Sequence, residues 1–117
     1  MTEKIFDIKD RTFNYSYQII NFVTKIPHSM ANQIMIKQLI RCGTSIGANI
    51  AEGYVGSSKK DFTNYYTIAL KSANETVYWL KLLAKTNEKF ESEIDPLLVE
   101  ANEIIRVLAK IVINCRK

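Results

Sequence analysis

Residues 58–86 read SKKDFTNYYTIALKSANETVYWLKLLAKT, and the spacing of their apolar side chains decides the fold class. Phe62, Tyr65, Ala69, Ser72, Thr76, Trp79 and Leu83 recur at 3-4-3-4-3-4, with Tyr66, Leu70, Ala73, Val77, Leu80 and Ala84 in a second row alongside. A strand alternates its side chains every second residue, whereas 3-4 spacing keeps one side chain per turn on a single face of an α-helix. No Gly or Pro interrupts the run. Ser58-Lys-Lys-Asp61 ahead of it resembles a capping box, with Asp in place of the usual Glu or Gln. The spacing therefore predicts a helix over residues 58–89.

Three further segments carry the same period. A first helix is expected over 10–25, ending before Pro27, whose ring disfavours helical geometry in the preceding residue. Its apolar face reads as Phe13, Tyr17, Ile20 and Thr24, widened by Ile19, Phe22 and Val23. A second helix is expected over 30–52, with Gly53 as the left-handed residue that ends it. A fourth is expected over 96–115, with Asp95 as N-cap and Pro96 at the first helical position. Its repeat is Leu98, Ala101, Ile105, Leu108, Val112 and Cys115, beside Leu97, Ile104 and Ile111.

Turn signals stand only at 26–29, 53–57 and 92–96, so each helix must double back along its predecessor. The expected fold is all-α, an up-down-up-down antiparallel four-helix bundle forming a single domain over 1–117. Sustained 3-4 spacing favours helix axes crossing at about +20°. Two apolar rows on each of the last two helices make a face wider than the ~100° stripe one bundle needs. They either fill one bundle or cover an interface between copies.

Composition closes off other classes. A chain of 117 residues with 24% charged residues suits one ordinary soluble domain, and four Gly with two Pro are too few for an all-β chain. The single histidine, His28, lies at a turn signal, so the Glu-x-x-His pairs of di-iron bundles and histidine-dependent nucleophilic catalysis have no basis. Cys42 and Cys115 are too few for a disulfide framework or a zinc site. Glu52, Asp61 and Glu75 read as caps or ion-pair partners rather than catalytic carboxylates. The expectation is no enzyme, no cofactor and no metal. No apolar run approaches the ~20 residues that span a bilayer, and the first residues lack the apolar core of a secretion signal. No membrane contact, a cytoplasmic location and reduced thiols are expected.

The basic excess is modest, 16 Lys and Arg over 12 Asp and Glu, for a net charge of +4. Residues 1–60 hold eight basic and four acidic residues, and residues 61–117 hold eight of each. Within the second half, Lys60, Asn64, Thr67, Lys71, Asn74, Tyr78, Lys81 and Lys85 form a row at 4-3-4-3-4-3-4 that holds no carboxylate. Such a row suits a phosphate backbone, held through counterion release rather than base reading. It also suits a solvated helix face, and Glu75 sits four residues after Lys71, where it can neutralise it. The stretch from Gly53 to Lys60 fails the Walker pattern, and its Gly-x-x-Gly lacks the sheet of a KH domain. What remains there is either an anion site made by the start of helix 3 with Lys59 and Lys60, or a capped, solvated helix start.

The end of the second helix is unusual in composition. Gly43 and Gly47 each cost about 1 kcal/mol relative to Ala in a helix. Small residues four apart let a neighbouring backbone approach closely. Arg41, Ser45, Asn49 and Glu52 make a polar row beside Cys42, Ile46 and Ile50. It reads as a hydrogen-bond network that sets helix register and the turn into helix 3.

This stretch, Arg41-x-x-x-Ser45-Ile46-x-x-Asn49-Ile50-Ala51-Glu52-Gly53, followed by Ser58-Lys-Lys-Asp-Phe62, closely resembles the signature of the 23S rRNA intervening-sequence protein family. These bacterial four-helix bundle proteins are sometimes labelled S23 ribosomal proteins. The continuation Ile68-Ala69-Leu70-x-Ser72-Ala-Asn-Glu75-Thr-x-Tyr78-Trp79-Leu80 is similar to the family's third helix, and the likeness runs through essentially the whole chain. Cys42-Gly43 departs from a commonly Ala-rich site, and the basic residue often found soon after Glu-Gly appears here only at Lys59. The resemblance implies a non-catalytic homo-oligomer, typically a pentameric ring, with Arg41, Ser45, Asn49, Glu52 and Gly53 as its structural signature. It also implies RNA or DNA as a partner, for which Lys59, Lys60, Lys71, Lys81 and Lys85 are the expected contacts. A related branch supplies accessory proteins to diversity-generating retroelements, where the ring partners a reverse transcriptase. That makes a protein-docking scaffold the alternative, with Tyr54 and Tyr78 as anchors.

Overall fold

Four α-helices account for most of the chain: α1 (Thr2–Val23), α2 (Met30–Tyr54), α3 (Lys59–Thr86) and α4 (Glu91–Cys115), with a 3-10 turn Glu88–Phe90 leading into the last. The structure is a computed structural model that describes residues 2–56 and 58–116, so Met1, Ser57 and Lys117 lie outside the described residues. No strand occurs among the described residues. Two of the starts are set by serine. Ser29 accepts a hydrogen bond from the Asn32 N–H and Ser58 from the Asp61 N–H, each at 3.1 Å, and each satisfies a donor that the first helical turn leaves free.

Helix α4 ends at Cys115, as expected, and the other helix ends depart from expectation. Helix α1 begins at Thr2 rather than near residue 10 and stops at Val23. Helix α3 ends at Thr86 rather than 89, because Asn87, whose N–H makes the last helical bond to the Leu83 carbonyl at 2.8 Å, leaves helical geometry with φ −135° and ψ 65°. Helix α4 starts at Glu91, not Pro96, and Pro96 lies inside it. The N–H that proline lacks there would have bonded the carbonyl of Ser92, an exposed residue in the first turn of the helix. Gly53 is not a left-handed cap. Helix α2 runs on to Tyr54, and no described glycine has a positive φ.

A 25-residue helix is ~38 Å long at ~1.5 Å per residue. The molecule measures 44 × 21 × 20 Å, so successive helices have room only side by side, reversing at each short connection. Helix α2 packs on α1 and α3, α4 packs on α3, and a lighter α1–α4 contact closes the bundle. The connections are tied together at one end by a reciprocal amide pair. Asn32 Nδ2 donates to Asn87 Oδ1 and Asn87 Nδ2 to Asn32 Oδ1, both at 2.9 Å, while Asn32 also donates to the Pro27 carbonyl.

The core draws on both apolar rows of α3 and of α4. Tyr66, Ala69, Ala73, Thr76, Leu80 and Leu83 are buried, and Leu70, Val77, Trp79 and Ala84 pack against them from the flanks. On α4 the buried set is Ile94, Leu97, Ala101, Ile104, Leu108, Ile111 and Val112, with Leu98 and Ile105 on the flank. The excess apolar width on these two helices therefore lies inside the bundle.

Helix α1 is the reverse case. Phe13, Tyr17, Ile20 and Thr24, the face expected to be inside, point to solvent. The buried row is Ile8, Thr12, Tyr15, Ile19, Phe22 and Ile26, spaced 4-3-4-3-4. Its two polar members are satisfied, which makes their burial tolerable. The Thr12 hydroxyl donates to the Ile8 carbonyl at 2.7 Å, and the Tyr15 hydroxyl crosses to the Leu97 carbonyl of α4 at 2.8 Å. Arg11 adds a two-pronged contact to Glu100 at 2.6 and 2.8 Å, and Lys25 reaches Glu93 at 3.0 Å.

Two buried tyrosines make opposite predictions. Tyr15→Phe removes a made hydrogen bond and should lose about 1 kcal/mol in urea unfolding. The Tyr66 hydroxyl is buried without a hydrogen-bond partner, so Tyr66→Phe should leave stability unchanged or raise it. Burial, reinforced by nearby Cys115 and Tyr54, pushes the Tyr66 phenol up from 10.0 to about 12. Burial first, and then Glu100, also pushes Tyr15 upward. The folded state holds these protons more tightly than the unfolded chain. The Tyr66 contribution to stability is therefore full below pH 10 and lost as pH rises through 12, and the Tyr15 contribution also falls in the alkaline direction. Tyr66→Phe should flatten that alkaline fall.

Candidate nucleic-acid interface

The core contacts of α3 fix its rotation about its own axis and so decide which residues it turns outward. Lys60, Asn64, Lys71, Asn74, Tyr78, Lys81 and Lys85 are all exposed, and Thr67 is half-buried. At ~100° per residue they fall within a stripe about 100° wide, and Lys60 to Lys85 spans ~37 Å of helix. The ion pairs shown among the described residues are Arg11–Glu100, Lys25–Glu93 and Arg106–Glu103, none of which involves the stripe. Glu75 accepts the Trp79 indole N–H at 3.1 Å, one turn further along α3, and is not ion-paired with Lys71. Packing holds Trp79 beside this carboxylate, while Lys71 is exposed to water.

Lys59 and Lys60 occupy the first turn of α3 and are exposed. The Ser58 side chain already occupies the Asp61 N–H, and Asp61 places a carboxylate in that same turn. The start of α3 is thus a capped helix start rather than a set of free donors converging on an anion. Ser57, in the loop before it, lies outside the described residues.

The signature row divides in two. Ser45 and Asn49 are half-buried and bonded: Asn49 Nδ2 donates to the Ser45 carbonyl at 2.8 Å and to Ser45 Oγ at 2.9 Å. The Ser72 hydroxyl of α3 then donates to Ser45 Oγ at 3.0 Å, locking the register of α2 against α3. Arg41 and Glu52 are exposed and stand outside this network. Gly53 belongs to the packing: a Cβ there would lie 3.0 Å from Tyr65 Cβ and from Cδ1 and Cε1 of Tyr66. Gly43 and Gly47 bring α1 close, as small residues four apart suggest. A Cβ at Gly47 would sit 3.1 Å from the Thr12 carbonyl oxygen, and Ser16 Oγ donates to the Gly43 carbonyl at 3.2 Å.

The periodicity concealed a second surface. Phe13 is 73% and Tyr17 63% exposed on α1, and Met30 is 81% exposed at the start of α2, with Ile20 and Ile34 also outside. These are exposed apolar side chains of the kind a contact face can use. The signal that could have found it is the competing row from Ile8 to Ile26, which has equal spacing and needs only that Thr12 be accepted as a core residue. Tyr54, expected as an anchor, is partly covered, because the Lys9 ammonium sits 4.6 Å from the centre of its ring. Both cysteines are free thiols, and burial pushes Cys42 above its ordinary range. Among the described residues no three His, Cys, Asp or Glu stand close enough to hold a metal, and no helix is long and apolar enough to cross a membrane.

Comparisons with known proteins agree with this architecture. The model of the 23S rRNA-intervening sequence protein family matches residues 4–110. A crystal structure from Bacteroides thetaiotaomicron, of a protein with unknown function from the S23 ribosomal protein family, is 37% identical. The match covers 93% of this chain and 97% of that one, with a TM-score of 0.85. No curated protein matches. The chain belongs to the 23S rRNA-intervening sequence protein family.

Proposed function

We propose that the protein is a non-catalytic, oligomeric accessory factor that holds RNA or DNA by its phosphate backbone, without reading sequence, along the outward stripe of α3. The observation that carries this reading is the stripe itself: Lys60, Lys71, Lys81 and Lys85, all exposed, with no carboxylate among them and none in the ion pairs shown. Lysine is a mobile point charge that suits phosphate, and the stripe holds no arginine, whose planar fork makes two-pronged contacts to guanine. Binding to a fluorescent mixed-sequence RNA should weaken by about 0.7–0.9 log units per log unit of salt for each phosphate contacted. A salt-independent anisotropy signal would overturn the reading.

Assembly is the second part of the proposal. The apolar face of α1 and α2 (Phe13, Tyr17, Ile20, Met30 and Ile34) supports contact with other copies, and five copies in a ring would place roughly +20 of net charge on one particle. Light scattering after gel filtration should give several times 13.4 kDa, five times for a pentamer. Tyr17→Glu should return it to the monomer mass without unfolding the chain, since the side chain is already in water. A wild-type monomer refutes the assembly.

The same face favours a second reading, a scaffold that docks a partner protein in the cytoplasm. One stoichiometric partner, retained after nuclease treatment and lost with Tyr17→Glu, would support it.

A further inference from the structure

Tyr78 stands in the middle of the lysine stripe, where a phosphate backbone would engage only the hydroxyl and leave the face of its ring without a role. Its ring is 59% exposed, flanked on α3 by Lys71 and Asn74 on one side and Lys81 and Lys85 on the other. It does not wave freely. The Trp79 ring meets it edge to face, with centroids 5.0 Å apart and planes at 85°. Trp79 is in turn held by packing on the core and by its N–H bond to Glu75. A rigid aromatic surface is thus presented to water between cations.

We infer that Tyr78 is a stacking platform for an unpaired base, so that the ligand of this stripe is single-stranded nucleic acid rather than a duplex. The inference rests on the backbone-binding reading above and narrows it. In a duplex the flat faces of the bases are covered by their neighbours, and an aromatic side chain on a helix surface meets only phosphate and sugar. There the hydroxyl alone can bond, and the ring face gains nothing from the contact. An unpaired strand offers open π-faces, and stacking on an aromatic ring is tolerant of sequence. Lys71 and Lys81 lie ~10 Å before and ~5 Å after Tyr78 along the helix, so cations can engage the backbone on both sides of a stacked base.

The test compares a single-stranded RNA with the duplex of the same length at equal salt, for wild type, Tyr78→Ala and Tyr78→Phe. Wild type should bind the single strand more tightly. Tyr78→Ala should weaken single-strand binding about 5- to 100-fold and duplex binding less than about 2-fold. Tyr78→Phe should keep most of the wild-type preference. The chain has one tryptophan, beside Tyr78, so its emission should change on binding the single strand in wild type and far less in Tyr78→Ala. Equal loss for both polymers, or no loss for either, would overturn the stacking role. If lysine reversal weakens binding while Tyr78→Ala does not, the stacking inference falls and backbone binding stands. If neither polymer binds, both fall, and a protein that protects Tyr78 would then be the occupant of this surface.

Discussion

Reversing Lys60, Lys71 and Lys81 to Glu should lower affinity for RNA about 100- to 500-fold at 0.1 M salt. Each lysine that neutralises a phosphate adds about 0.7–0.9 to the slope of log affinity against log salt. At 0.1 M the loss of three such contacts amounts to between two and three decades. The introduced carboxylates repel the strand as well, which deepens the loss. The slope itself should become shallower by about two to three units. No fold change should accompany this, because all three side chains are exposed and none is in an ion pair the structure shows. Reversal of Lys37, Lys89 and Lys110 to Glu, all exposed and off the α3 stripe, changes the charge by the same amount and is the control for overall charge. If it matches the stripe variant, the particle's net field and not the α3 stripe holds the ligand.

Gly53→Ala should destabilise the protein by about 1–3 kcal/mol, although alanine is the better helix former by about 1 kcal/mol. The added methyl carbon would stand 3.0 Å from Tyr65 Cβ and from two carbons of the Tyr66 ring. Tyr66 is fully buried and stacked on Phe62 with ring centroids 4.1 Å apart, so it has nowhere to swing. The cost therefore falls on the separation of α2 and α3. Gly43→Ala provides the internal comparison. Its new methyl would meet Ile19 Cγ2 at 3.3 Å, a side-chain methyl group that can yield, so its effect should be the milder. Urea midpoints that rank Gly53→Ala as the more stable variant would refute this account of the glycine.

The order and number of the helices were legible from side-chain spacing, because the 3-4 period is a local property of each segment. The outward lysine stripe was legible for the same reason: once α3 is amphipathic, its polar row must face water. The family signature could be read residue by residue from Arg41 to Gly53, but not the separate roles within it. Ser45 and Asn49 bond to each other and to Ser72 of the next helix, while Arg41 and Glu52 reach solvent, a division that depends on how α2 is rolled against α3.

Three matters were settled only by packing. Helix α1 carries two apolar rows of equal period, and choosing between them required a partner for the Tyr15 hydroxyl on α4, 82 positions away in sequence. Pro96 reads locally as a helix start, yet the chain turns through Glu88–Phe90 and is already helical before it. Gly53 reads as a helix stop, yet its lack of a side chain serves the close contact with Tyr65 and Tyr66. The sequence by itself determined the helical period of each segment and the charge along α3, which are short-range properties. Tertiary structure alone decided which face of α1 is buried, where most of the helices end and which apolar side chains stay exposed. Those outcomes depend on contacts between residues far apart in the chain, whose free energy no local spacing encodes.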